Sequence, residues 1–230
     1  MSLPDGTVPK LPDALIRRAI HTARKNWDCW RDVFEHGSPI NTNPLLESEL
    51  RFRAFLKEYS VGRTIQRSTH EAFRAELRDK ALFSDAVGED SGRSLGELEV
   101  EMRKRFGTRE GARSLISALS KIAAFVRPER FVAWDQYARR GINTLLDRKP
   151  SSRFATYADY LGAFDQAWNG EAGQDIKEYL AKAGAQEAKA QERFLRRVLD
   201  VCAMRIGGLA ERGENRRASS SGSKPAASAS

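Results

Sequence analysis

Lys121 and Asp135 stand fourteen positions apart, on either side of the stretch Phe125-Val126-Arg127-Pro128-Glu129-Arg130-Phe131-Val132-Ala133-Trp134. An amine and a carboxylate carried on successive helical segments are residue types suited to nucleophilic and charge-stabilising chemistry, provided the fold brings them to one enclosed place. Other common chemistries lack their residues. The chain has no G-x-x-x-x-G-K-[ST] phosphate loop, no G-x-G-x-x-G, no H-E-x-x-H and no G-x-S-x-G elbow. Its three histidines, His21, His36 and His70, fall on separate segments of the first third, which gives no sign of a histidine-centred triad. The two cysteines, Cys29 and Cys202, are too few and too far apart for a zinc site or a disulfide framework. No metal and no cofactor is expected, and the thiols fit a reducing, cytoplasmic setting.

The run from Ser120-Lys121 through Pro128 and Trp134-Asp135 to Arg139-Arg140 resembles the active-site stretch of the helix-hairpin-helix DNA glycosylases, above all the 8-oxoguanine glycosylase branch. In that superfamily a Lys opens an apolar helix, a loop with Pro and aromatic or aliphatic residues follows, and an Asp precedes a helix bearing Arg. The resemblance spans residues 111–146. Where the family carries a Pro and two Gly before its Lys, this chain has Leu115-Ile116-Ser117-Ala118-Leu119. The resemblance implies base excision from DNA: a flipped nucleotide in a pocket, the Asp135 carboxylate stabilising positive charge at C1′, and the Lys121 amine attacking C1′ to form a Schiff base. The amine must be neutral to attack, a state that burial or nearby cations such as Arg127, Arg139 and Arg140 favour. Trp134 and Phe131 would wall the base pocket, and Arg127, Trp134, Arg139 and Arg140 would contact nucleic acid.

The same residues have simpler readings. Asp135 stands where the helix that follows needs an N-cap, a role compatible with catalysis. Lys121 lies roughly opposite the stripe of Leu115, Leu119, Ile122 and Val126, as a solvated lysine would. Trp134, Phe131 and Phe125 are the kind of residues that anchor a core.

Helices must position all of these groups. Apolar residues recur at helical spacing over Asp13–Phe34, Leu45–Tyr59, Thr64–Phe83 with Ser68 as its cap, Leu95–Phe106, Gly111–Val126, Gln136–Leu146, Thr156–Trp168, Gln174–Ala183 and Glu187–Ile206. The run Val87–Arg93 reads as a break, and Gly107 as a helix stop. The helix ending at Val126 is the most apolar and is expected at the centre. No alternating run argues for a sheet. The expected architecture is all-α, a single globular domain of about eight helices over 12–210. Residues 1–11 read as a flexible N-terminus and 211–230 as a disordered tail whose Ser, Ala and Gly cannot bury a core.

The chain has 230 residues, with 39 Lys+Arg against 31 Asp+Glu, a net charge of +8. At 40% hydrophobic residues it can bury a core of ordinary size, and no run is long and apolar enough to span a bilayer. The excess of Arg, with Arg-Arg pairs at 17–18, 139–140, 196–197 and 216–217, suits a phosphate-bearing partner. DNA is the partner expected first, with RNA or a protein as alternatives and no membrane. The leading expectation is a glycosylase with lyase activity on an oxidised purine. The alternative is a non-catalytic helical module that binds nucleic acid or protein, a type that would fit a defence or mobile-element system.

Overall fold

The computed structural model describes residues 10–35, 43–59, 61, 65, 67–79, 91–106, 114–183 and 188–208. Every regular element among them is helical: eleven α-helices and one short 3-10 turn at Arg67–Thr69. The helices are α1 (Asp13–Cys29), α2 (Arg31–Glu35), α3 (Pro44–Glu47), α4 (Glu49–Glu58), α5 (His70–Asp79), α6 (Ser91–Phe106), α7 (Ile116–Val126), α8 (Gln136–Leu145), α9 (Tyr157–Asn169), α10 (Glu171–Lys182) and α11 (Ala188–Ile206). The readings of the N-terminal nine residues, of Gly107 and of the C-terminal tail lie outside the described residues.

Several expected helices are subdivided, each for a local reason. The helix expected over Asp13–Phe34 is two, because Trp30 leaves helical geometry (φ −125°, ψ 26°) and buries its ring edge-on against Phe55 and Phe125. Ser48 interrupts Leu45–Tyr59 in an extended conformation, and its hydroxyl accepts from the Arg51 amide at 3.3 Å to cap α4. Ser68 falls in the 3-10 turn, and α5 starts at His70. Conversely, Ser91 and Gly92 belong to α6 and not to a break. A Cβ on Gly92 would sit 2.7 Å from the Ala158 Cα, so glycine lets α6 close against α9.

Four of the five apolar residues at the centre of α7, Leu119, Ile122, Ala123 and Phe125, are buried together with Ser120. The Phe125 ring meets Phe34, Phe55 and Tyr59 at centroid distances of 4.8, 4.9 and 4.7 Å, fastening α7 to α2 and α4. At its start, the buried Glu99 of α6 accepts from the Leu115 amide at 2.9 Å and the Ser114 hydroxyl at 3.0 Å, satisfying donors that a helix N-terminus leaves open.

Helices α8 and α11 run antiparallel at very short range. A Cβ on Gly141 would lie 1.9 Å from the Ala203 carbonyl oxygen, and one on Gly207 1.9 Å from that of Tyr137. Only a residue without a side chain allows this approach, which carries Asp200 of α11 into the interior beside the α7–α8 connection.

Candidate functional site

The connection between α7 and α8 is held at almost every residue. After Val126 the chain turns, with the Phe131 amide donating to the Arg127 carbonyl at 3.0 Å. The buried Tyr157 hydroxyl then donates to the Val132 carbonyl at 2.7 Å and accepts from the Val132 amide at 3.0 Å. Tyr160 donates to the Ala133 carbonyl at 3.2 Å. Burial raises the pKa of both phenols, so they serve as neutral hydrogen-bonding posts. The Trp134 amide donates to the Ser120 hydroxyl at 2.9 Å. That bond sets the residues next in sequence, Lys121 on α7 and Asp135 at the start of α8, on neighbouring stretches of backbone.

Asp135 is the N-cap of α8: its backbone is extended and its Oδ1 accepts from the Tyr137 amide at 2.8 Å. Asp135 is half-buried. Lys121 is half-buried too, and its ammonium donates to the Tyr59 carbonyl at the end of α4 over 3.4 Å. It is therefore not a solvated lysine. The wheel reading treats α7 as packed on one side only, whereas α4 covers the side on which Lys121 and Phe125 lie one turn apart.

A third ionisable group joins them. Asp200 is 2% exposed, accepts a hydrogen bond from the Arg197 guanidinium at Oδ2, and has no hydrogen-bond partner at Oδ1. Burial is the main cause of its raised pKa. The Arg197 charge opposes the rise, the Asp135 charge adds to it, and the Lys121 charge lowers it, so Asp200 lies within electrostatic reach of both candidate residues. Sequence reasoning missed Asp200. The available signal was a carboxylate set among Val198, Leu199, Val201, Cys202 and Ala203, all of them buried.

The other candidates divide by environment. The Arg139 guanidinium lies over the Trp134 ring, 4.4 Å from its centroid, while Tyr160 meets that ring edge-on at 5.5 Å. Burial is the main cause of a lowered Arg139 pKa, with Tyr160 and Asp135 opposing it, and its Nε has no hydrogen-bond partner. Arg140 is exposed on the next position of α8. Arg127 sits in the core at 4% exposure, its Nε 2.5 Å from Glu129 Oε1, and Arg193 joins the same carboxylate at 3.2 Å. Phe131 is buried at 1% exposure. The structure thus sets Trp134 and Arg139 against each other next to the α8 cap Asp135, turns the Lys121 ammonium to the Tyr59 carbonyl, leaves Arg140 outward and places Arg127 inside.

His21 is exposed on α1, and the buried His70 has its Nε2 3.2 Å from the Ile65 carbonyl. Among the described residues no three His, Cys, Asp or Glu side chains gather as a metal-ligand set, and no helix is long and apolar enough to cross a membrane. Comparison with protein-family models, with curated proteins and with solved structures finds no match to this chain.

Proposed function

We propose that the protein binds DNA and excises a damaged base, an oxidised purine in the first instance, using Lys121 as nucleophile and Asp135 as the charge-stabilising carboxylate. The observation that supports this reading is the Ser120–Trp134 hydrogen bond, which ties together the two stretches of backbone that carry Lys121 and Asp135, with the buried Asp200 as a second carboxylate in electrostatic reach of both. In the proposed reaction the Lys121 ammonium gives up a proton to solvent, and the resulting amine bonds to C1′ as the glycosidic C–N bond breaks. The departing base leaves with the bonding electron pair and takes up a proton. Opening of the sugar ring then gives an iminium at C1′, with the former ring oxygen released as a hydroxyl. Asp135, with Oδ1 engaged by the α8 cap, offers its second oxygen to the positive charge that builds at C1′. Arg139 stacked on Trp134 gives a cationic wall beside that carboxylate.

One observation favours binding without chemistry: both key side chains already have structural partners, Lys121 the Tyr59 carbonyl and Asp135 the Tyr137 amide. A strand-incision assay on a duplex carrying 8-oxoguanine separates the readings. Excision with lyase activity gives a cleaved strand that Lys121→Gln abolishes. Salt-sensitive duplex binding with no cleavage across oxidised purines leaves the binding module alone standing.

A further inference from the structure

The connection between α8 and α9 carries a cationic surface built on a fixed backbone. Asp147 adopts a left-handed conformation (φ 53°) that reverses the chain after α8. The Arg148 amide donates back to the Asn143 carbonyl at 2.7 Å, and the Ser152 amide to the Lys149 carbonyl at 2.9 Å. From inside, the Asn143 side chain, 1% exposed, donates to the Ser152 carbonyl at 2.8 Å and reaches the Pro150 carbonyl at 3.5 Å. The backbone is thereby tied down while residues 147–153 stay exposed.

Three cations, Arg148, Lys149 and Arg153, stand in this segment against the single carboxylate of Asp147, and Arg140 is exposed on the last turns of α8 before it. Arg148 donates to the neutral Gln166 amide oxygen at 3.0 Å, which leaves its charge uncompensated. None of these four forms an ion pair among the described residues, in contrast to Arg31, Arg51, Arg53, Arg93 and Arg105, which all meet carboxylates. The segment also leads back to the candidate site. Phe154 packs edge-on against Tyr160 at 5.4 Å, and Tyr160 against Trp134 at 5.5 Å.

We propose that Arg140 on α8, with Lys149 and Arg153 on this locked connection, form the surface that grips the phosphodiester backbone of duplex DNA beside the Lys121–Asp135 site. The inference rests on the DNA-binding reading above and adds to it the place where the duplex is held. Guanidinium and ammonium groups suit phosphate oxygens, and a backbone fixed before binding loses little further entropy when it docks. Contacts of this kind bind without reading sequence and release counterions as they form.

The test is fluorescence anisotropy of a labelled DNA duplex titrated over a range of salt concentrations. The comparison is wild type against the triple variant Arg140→Ala/Lys149→Ala/Arg153→Ala. The control is Arg17→Ala/Arg18→Ala/Arg24→Ala on α1, whose three arginines are also exposed. Each lost phosphate contact makes the log–log salt slope shallower by about 0.9, so the connection variant should lose about 2 to 3 in slope while the α1 variant keeps the wild-type value. Unchanged thermal midpoints confirm folding. A wild-type protein that does not bind removes the DNA reading and this inference together. Salt-dependent wild-type binding that the connection variant retains, or that only the α1 variant loses, overturns the inference alone.

Discussion

The Ser120 hydroxyl accepts a hydrogen bond from the Trp134 amide at 2.9 Å, joining the middle of α7 to the residue that precedes the α8 cap. Ser120 is fully buried, so this bond replaces water for a backbone donor that has no helical partner. It holds the backbone that carries Lys121 against the backbone that leads into Asp135.

Ser120→Ala removes the acceptor of the part-buried Trp134 amide and should cost about 1 kcal/mol in urea unfolding. The account also expects it to weaken any Lys121-dependent reaction more than it weakens DNA binding. A variant as stable as the wild type would mean that the connection is held by Tyr157 and Tyr160 alone.

Asp135 has two roles that substitution can separate. Asn is as good a cap as Asp, whereas Ala removes the acceptor for the Tyr137 amide. Asp135→Asn should therefore retain wild-type stability and lose base release, and Asp135→Ala should lose base release and about 1 kcal/mol of stability as well. Full activity in Asp135→Asn would reduce the residue to a cap.

Asp200 predicts a pH dependence with a definite sign. Its pKa is raised by burial, so the folded protein holds that proton more tightly than the unfolded chain does. Stability falls as pH rises from the unfolded carboxylate value to the raised folded value, and is flat in this respect on either side. The charged groups that set the value are Arg197, Asp135 and Lys121, all retained in Asp200→Asn. The difference in unfolding free energy, wild type minus variant, should decline across that acid interval. A difference that rises with pH there would show that the Arg197 pairing outweighs burial.

What could be read from the sequence and what could not follow from the range of the forces involved. The helical character of the chain, the apolar dominance of α7 and the capping position of Asp135 are local signals, carried by spacing and by the residue before a helix. The environment of Lys121 was misread because a helical wheel assigns one buried face, and α7 is covered by α4 as well as by its own stripe. Asp200 carries only a weak local signal, its apolar neighbours, because an Arg and an Asp three apart on a helix also suit an exposed pair. The burial of Arg197 and Asp200 is set by the approach of α11 to α8 at Gly141–Ala203 and Tyr137–Gly207, contacts between residues far apart in the chain that no local pattern encodes. The subdivision of the first helix at Trp30 has the same origin, since the break is driven by rings on α4 and α7.

The central claim is that Lys121 becomes covalently attached to C1′ of a damaged nucleotide. The most direct measurement is borohydride reduction of the protein mixed with an 8-oxoguanine duplex, followed by mass mapping of the cross-linked peptide. The account predicts a trapped adduct on the peptide containing Lys121, absent in Lys121→Gln and absent with undamaged DNA. No adduct from a folded, duplex-binding wild-type protein, or an adduct on another lysine, would contradict it.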